Sequence, residues 1–176
     1  MSEILGALFK YLLALVAISA VVAVLYEALS SNKVSSAVTE VTTLQADINQ
    51  FYAGSNSSSA SSASPDITSE LAKSGSAPSS MISGSTLVNP WGGAATVNVY
   101  SSATPSYGTI EFDSVPNNAC VKLVSSLLQS MKSISVNGTS VASASDALQN
   151  CGTSTGSGSS SSATSSNTLI FTFNLS

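Results

Sequence analysis

Residues 4–51 constrain the fold most, because they contain no proline and, beyond Gly6, no glycine. Their first part, residues 4–29, carries only two charges, Lys10 and Glu27. The uncharged run 11–26 is about 24 Å long as a helix, and flanking apolar residues extend it towards the roughly 30 Å of a bilayer's hydrocarbon layer. A cleavable signal peptide fits less well, because the chain opens on the acidic Met-Ser-Glu. The segment therefore predicts a helix that can span a membrane.

Beyond Leu29 the apolar residues continue at three- and four-residue spacing, which indicates an amphipathic helix. The row includes Val34, Val38, Val41 and Ile48. A helix continuous from about residue 2 to 53 would be roughly 75–80 Å long, more than twice a membrane span. The alternative is a single-pass anchor followed by a linker, but a linker would not keep helical periodicity for five further turns.

The composition narrows the class of protein. Charged residues make up 8% of the 176 residues, the chain has no histidine and no arginine, and its net charge is -4. A surface made soluble by hydroxyls and amides suits packing against copies of itself, because few charges must be desolvated. The five lysines are spread along the chain, so no basic patch for nucleic acid is visible. By length, the chain is one domain and a stalk.

The rest of the chain alternates short helix and strand patterns, which predicts an α+β fold in which the stalk helix packs on a small antiparallel sheet. Asn137-Gly138 is its strongest hairpin signal. In order, the pattern predicts a Ser-rich loop at 55–64, a helix from Ser64-Pro65-Asp66 to Gly75, a turn at Asn89-Pro90-Trp91-Gly92-Gly93, strands at 96–100 and 107–112, a helix from Pro116-Asn117 through Leu123 and Leu127 to Met131, a hairpin at 135–141, a helix at 146–149, a Ser/Thr/Gly loop at 152–166 and a strand at 168–175.

The two cysteines, Cys120 and Cys151, leave two alternatives. Paired, they would close a loop, and the bond would stabilise the fold by about 3–4 kcal/mol in the chain-entropy model. Unpaired, they would be two buried thiols. Without histidine or a CxxC pair, a zinc site lacks ligands, so we expect neither a metal nor a cofactor.

The order of these features resembles the type IVb pilins, the group that contains the bundle-forming pilin, the toxin-coregulated pilin and the thin-pilus pilins of conjugative plasmids. The resemblance covers essentially the whole chain. It is carried by the hydrophobic N-terminal helix, Ser31-Asn32-Lys33, Ala37-Val38-Thr39-Glu40-Val41, Ile48-Asn49, Phe51-Tyr52, Asn89-Pro90-Trp91-Gly92-Gly93 and the Ala119-Cys120 to Cys151 pair.

The resemblance implies a division into a membrane and filament-core helix at 1–29, its amphipathic continuation at 30–53 and a head domain at 54–176. It implies export as a prepilin, leader removal by a prepilin peptidase, methylation of the new N-terminus and a homo-oligomeric filament built by pilus assembly machinery. The subunit would lie in the bacterial inner membrane and then in the extracellular pilus. Apolar residues at helical spacing would fill the filament core: Leu5, Leu8, Leu12, Leu15, Ile18, Val22 and Leu25.

The acidic residue of the family's N-terminus is displaced in this chain. The family has it at the fifth mature position, whereas this chain has Leu5 there and its nearest acid is Glu3. An unpaired charge in an apolar core would be costly, so Glu3 needs a partner, either the α-amine of Met1 or Lys10 of a neighbouring subunit. Alternatively, Glu3 and Lys10 both lie at the level of the lipid headgroups, or Met1 is the translation start.

Signals for catalysis or ligand binding are weak. The stretch Gly152–Gly156 matches GxSxG by letters, but it lies in a Ser/Gly tract and the chain has no histidine to act as base. Glu111 and Asp113 share a strand face and could bind a cation, although such acids usually keep a surface soluble. Asn137 heads a glycosylation sequon in form, and Trp91 is either an exposed adhesive aromatic or a loop anchor. We expect no enzyme.

The sequence therefore favours the major structural subunit of a type IV pilus, with a role in adhesion, aggregation or conjugation and no direct contact with nucleic acid. The alternatives are a minor pilin or tip adhesin, a type II secretion pseudopilin, and a simple membrane-anchored binding module.

Overall fold

The computed structural model describes residues 10–11, 16, 31–53, 66–101, 105–151 and 166–175. The chain divides into two compact units, Met1–Lys33 and Val34–Ser176. In the first unit, Lys10, Tyr11 and Val16 are helical and exposed. In the described ranges, no helix is both long and apolar enough to cross a membrane. Apart from those three residues, the predicted span 4–29 lies outside these ranges, and the division into 1–29, 30–53 and 54–176 stays a prediction.

The first described helix, α1, covers residues 31–53. Its buried residues lie three or four positions apart, so they form one apolar stripe: Val34, Ala37, Val41, Leu44 and Ile48. Hydroxyl residues fill much of the opposite face, and the Oγ1 atoms of Thr39 and Thr42 donate to carbonyls one turn earlier, at 3.0 Å. The predicted amphipathic helix is confirmed over these residues.

In the ranges that the structure describes, seven antiparallel strands form one sheet in the order β1-β2-β3-β4-β7-β5-β6. The C-terminal strand β7 pairs with β4 on one side and with β5 on the other, so the end of the chain joins the two halves of the sheet. The strands are β1 (Ile82–Ser83), β2 (Thr86–Val88), β3 (Ala94–Tyr100), β4 (Tyr107–Pro116), β5 (Ser133–Val136), β6 (Thr139–Val141) and β7 (Ser166–Asn174).

Burial alternates along β3, β4 and β7, so one face of the sheet lies in the core. On that face Phe112 and Phe171 meet edge to face, with ring centroids 5.9 Å apart. The apolar stripe of α1 belongs to the same buried cluster. The opposite face is half-exposed and carries mainly hydroxyl, amide and acidic side chains along the three strands. The head is therefore an α+β domain whose core includes α1, as predicted.

The described part of the head holds three further helices: α2 (Thr68–Ser74), α3 (Asn117–Leu127) and α4 (Ala144–Asn150). Helix α4 begins with a capping box, in which the Ser143 side chain accepts from the Asp146 N–H and the Asp146 carboxylate accepts from the Ser143 N–H. The pKa of Asp146 is lowered by the Ser143 hydrogen bonds and by the Ala142 N–H. These contacts fix the start of α4.

The structure differs from the prediction at element ends and in one hairpin. Helix α2 begins at Thr68 rather than at the predicted Ser64-Pro65-Asp66, because Asp66 forms a β-bridge with Asn98. Helix α3 ends at Leu127, and Met131 is buried beyond it. The hairpin β1–β2 was not predicted, because strands of two and three residues are too short to show a period. The Asn137-Gly138 hairpin and the last strand are confirmed.

Candidate functional site

The N-terminal residues predicted to drive assembly fall mostly outside the described ranges. Lys10 is described and exposed, whereas Met1 and Glu3 are outside. The predicted filament-core residues are also outside: Leu5, Leu8, Leu12, Leu15, Ile18, Val22 and Leu25. Of their neighbours, Tyr11 is 73% and Val16 65% exposed. Two large apolar side chains are thus accessible in the single chain, and the charge pairing stays a prediction.

The cysteine pair is a disulfide. Cys120 in the first turn of α3 is bonded to Cys151, which caps the C-terminus of α4, and their Cα atoms are 5.9 Å apart. Cys120 is fully buried and Cys151 packs against the core. The pairing alternative is confirmed and the free-thiol alternative is wrong. The bond joins two helices that flank the β5–β6 hairpin in sequence.

Beside the disulfide lies a network of asparagine side chains. Asn167 is 2% exposed, and its Nδ2 donates to the Val115 carbonyl at 3.1 Å and to Asn117 Oδ1 at 2.8 Å. Its Oδ1 accepts from Asn137 Nδ2 at 2.9 Å, and Asn137 also donates to the Asn150 carbonyl at 3.2 Å. The network therefore ties β7 to β4, α3, the β5–β6 turn and α4. Since the Asn137 amide nitrogen makes two hydrogen bonds, the sequon at this residue has a structural role.

The Asn89–Gly93 turn holds an irregularity in β4. Asn89 is 3% exposed, and its Oδ1 accepts from the N–H groups of Trp91 and Gly93 while its Nδ2 donates to the Asp113 carbonyl at 2.6 Å. The register of β4 against β7 shifts between Phe112 and Val115, where Ser114 has a φ of 59°. Trp91 packs against the core with partial exposure, which favours the anchor interpretation over the adhesive one.

Glu111 and Asp113 lie on the half-exposed face of β4, as their spacing predicts. Asp113 Oδ1 accepts from Thr168 Oγ1 at 2.7 Å, so this carboxylate joins β4 to β7. Burial raises the pKa of Glu111, and the charge of Asp113 raises it further. Within the described part of the chain, no cluster of three or more acidic, cysteine or histidine side chains could hold a metal ion. Both acids lie on the half-exposed surface of the sheet. The GxSxG stretch at 152–156 lies outside the described residues.

A groove of about 430 Å³ lies between α1 and the segment 78–80, which precedes β1. Glu40 lies in it, and its Oε1 accepts from Ser80 Oγ at 2.8 Å. Its Oε2 is buried without a hydrogen-bond partner. Burial raises the pKa of Glu40, and the Ser80 bond partly offsets this. In the sequence, Glu40 was marked only by its place in the Ala37–Val41 motif and by being an acid beside the apolar stripe of α1. The lining residues are Ser35, Ser36, Thr39, Glu40, Thr43, Pro78 and Ser80.

Comparisons with known proteins identify the family and the fold of this chain. A family model described as PilS N terminal matches residues 31–174. A crystal structure of type IV b pilin from Salmonella typhi matches with a TM-score of 0.59 and 24% identity, covering 80% of this chain and 99% of that chain. An NMR structure of type IVb pilin (PilS) from Salmonella typhi matches with a TM-score of 0.51 and 24% identity, covering 80% of this chain and 96% of that chain.

A crystal structure of TcpA, a type IV pilin from the El Tor biotype of Vibrio cholerae, gives a TM-score of 0.52 at 15% identity, covering 80% of this chain and 98% of that chain. No curated protein sequence matches the chain. At these identities the solved structures establish the fold, whereas the family model covers most of the sequence.

Proposed function

Because the chain belongs to the PilS family and has the fold of type IVb pilins, we propose that it is the major, repeating subunit of an extracellular type IV pilus. The observation that carries the proposal is the family match over residues 31–174, which contains α1 and the whole sheet. The apolar stripe of α1 lies in the core of the head. A load on the N-terminal helix would therefore pass into the folded head through the chain and this packing.

The mechanism is assembly rather than catalysis. The N-terminal helices move from the inner membrane to the filament core and exchange lipid contacts for helix contacts, so close packing and matching of polar groups drive the step more than water exclusion. The exposed Tyr11 and Val16 side chains supply apolar surface for these contacts. Each copy presents different surfaces to its neighbours, and such contacts build an open filament when they do not close into a ring.

The charge at the N-terminus sets the register of assembly in this proposal. Glu3 of one subunit pairs with the Met1 α-amine or with Lys10 of another after a prepilin peptidase has removed the leader. Because Glu3→Ala would leave the partner α-amine or Lys10 ammonium unpaired in an apolar core, which is costly, the substitution should strongly reduce filament yield. Glu70→Ala is the matched control, because Glu70 is an exposed acid on α2. Equal filament yields from the two variants would contradict the pairing.

Electron microscopy of a sheared surface fraction tests the proposal itself. Cells that carry the assembly machinery and this chain as their only major pilin should release long filaments that contain mainly this chain. The minor-pilin, tip-adhesin and pseudopilin alternatives predict no long filaments from this chain alone. Absence of such filaments while the chain is expressed and the machinery assembles another pilin normally, or their persistence when the gene is deleted, would contradict a major-subunit role. Adhesion, aggregation and conjugation assays on that deletion then separate the three roles.

A further inference from the structure

Asn137-Gly138 is the only Asn-Gly pair in the sequence, and such a pair is chemically labile. In an unstructured chain the backbone nitrogen of Gly138 attacks Cγ of Asn137, and since glycine has no Cβ, little hinders its approach. The new N–C bond closes a succinimide ring, while the Cγ–Nδ2 bond breaks and ammonia leaves. Water then opens the ring at either carbonyl, so that the residue becomes aspartate or isoaspartate. This deamidation needs water as its only co-reactant.

The turn holds Asn137 in a backbone conformation that opposes the attack. Val136 pairs with Thr139, so Asn137 and Gly138 form a two-residue hairpin loop. Their φ values of 51° and 82° are those of a type I′ turn. In such a turn the Cα–Cβ bond of the first residue lies nearly opposite to the next backbone nitrogen. The carboxamide of Asn137 therefore cannot reach the nitrogen of Gly138 until the turn opens.

Hydrogen bonds also hold the carboxamide of Asn137 itself. Its Oδ1 accepts from the Thr168 N–H at 3.0 Å. Its Nδ2 donates to Asn167 Oδ1 at 2.9 Å and to the Asn150 carbonyl at 3.2 Å. Gly138 is exposed, and a Cβ built on it would meet no atom within 4 Å, so water reaches the turn. The pair is thus protected by its geometry rather than by exclusion of water.

The disulfide anchors this network on both helices that it joins. Asn150, the acceptor from α4, directly precedes Cys151. Asn117, at the start of α3, accepts from Asn167 Nδ2 at 2.8 Å and lies three residues before Cys120. Without the bond, α3 and α4 are no longer joined at this point, so local opening of the network becomes more frequent.

We propose that Asn137 is a deamidation site that the Cys120–Cys151 bond keeps closed. The chain is modified there while its cysteines are unpaired, and it is protected there once they are paired. The proposal concerns the single chain and does not depend on the filament.

Deamidation at this position would harm the head. An aspartate at 137 would turn acceptor oxygens towards Asn167 Oδ1 and the Asn150 carbonyl, which both accept now. Isoaspartate would also lengthen the backbone of the turn by a methylene group, which disturbs the register of β5 and β6. Since ammonia has left, forming the disulfide later does not restore the amide. The modification therefore marks chains whose cysteines paired late.

Deamidation rates of the purified full-length chain in detergent test the proposal. Wild type with the disulfide formed and the double variant Cys120→Ser, Cys151→Ser are incubated in the same mildly alkaline buffer. Peptide mass spectrometry with isoaspartate labelling measures the modified fraction at Asn137. The double variant should deamidate there at least about tenfold faster, whereas the wild type should react there as slowly as at the exposed Asn174. Equal rates at Asn137 in the two proteins, or rapid deamidation of the oxidised wild type, would overturn the proposal.

A second comparison separates the hydrogen-bond network from general unfolding. Asn167→Ala keeps the disulfide but removes one acceptor of Asn137. Asn174→Ala, at the exposed end of the same strand, is the matched control. Both are incubated at a temperature at which near-UV circular dichroism shows that they are folded. Asn137 should deamidate several-fold faster in Asn167→Ala than in the control, and equal rates would overturn the proposed protection by the network.

Discussion

Replacement of Asn167 is the sharpest test of how the head is held together. This side chain is 2% exposed, and its hydrogen bonds include those to the Val115 carbonyl, Asn117 and Asn137. Each buried bond contributes about 1 kcal/mol net, and partners left unsatisfied add to the loss. We therefore expect Asn167→Ala to lower the free energy of unfolding by about 3 kcal/mol. For a chain of this length, that corresponds to a fall in Tm of roughly 6–12 °C.

Asn167→Asp keeps the size of the side chain but exchanges its two-proton donor for an acceptor. The new carboxylate would face the Val115 carbonyl and Asn117 Oδ1, which now accept from Nδ2. A buried charge without a partner costs about 3–5 kcal/mol, so this variant should be at least as destabilised as the alanine variant.

Thermal unfolding of the purified full-length chain in detergent, followed by near-UV circular dichroism, measures both changes. The matched control is Asn174→Ala, at the exposed end of the same strand, with an expected change below about 0.5 kcal/mol. If Asn167→Ala shifts Tm no more than this control, the asparagine network contributes little and the reasoning is wrong.

Three further predictions concern the disulfide, the β4 irregularity and the sheet surface. Cys120→Ser should lower stability by about 3–4 kcal/mol in urea unfolding, because it opens the loop that ends at Cys151, and a reductant should then have no further effect. Gly93→Ala should lower the free energy of unfolding by more than about 2 kcal/mol, since its Cβ would lie 2.7 Å from the Asp113 carbonyl carbon and 2.9 Å from Asn89 Nδ2. The control Gly84→Ala meets no atom within 4 Å and should cost only about 1 kcal/mol for its positive φ. Equal Tm shifts for the two variants would contradict this. Because the pKa of Glu111 is raised in the fold, its charged form is disfavoured there, so its contribution to stability falls as pH rises from 4.5 through the folded pKa. Glu111→Gln should therefore raise Tm slightly at pH 7 and make no difference below the unfolded pKa, and a variant destabilised at pH 7 would contradict the assigned cause.

The regular elements could be predicted because their signals are local. The stripe that contains Val41, Leu44 and Ile48 repeats at helical spacing, and Asn137-Gly138 supplies the positive φ values that a tight hairpin requires. The family pattern also followed from residues that can be read in order, whereas the disulfide was one of two alternatives until the structure decided between them.

The contacts that hold the head together could not be predicted, because they join distant positions without leaving a period. Asn167 bonds to the Val115 carbonyl across 52 residues and Asn137 lies 30 residues from it, and nothing near either asparagine marks the other. The groove could not be predicted for the same reason, since Glu40 and Ser80 are 40 residues apart in sequence. A carboxylate beside an apolar stripe indicates partial burial but does not reveal which loop will cover it.

A helical reconstruction of the sheared filaments by cryo-electron microscopy tests the central claim most directly. The account predicts one repeating subunit that fits this head, with the N-terminal helices bundled around the filament axis and the sheets outside them. A reconstruction in which the heads surround the axis and the N-terminal helices lie on the outer surface, or in which a different pilin builds the filament, would contradict it.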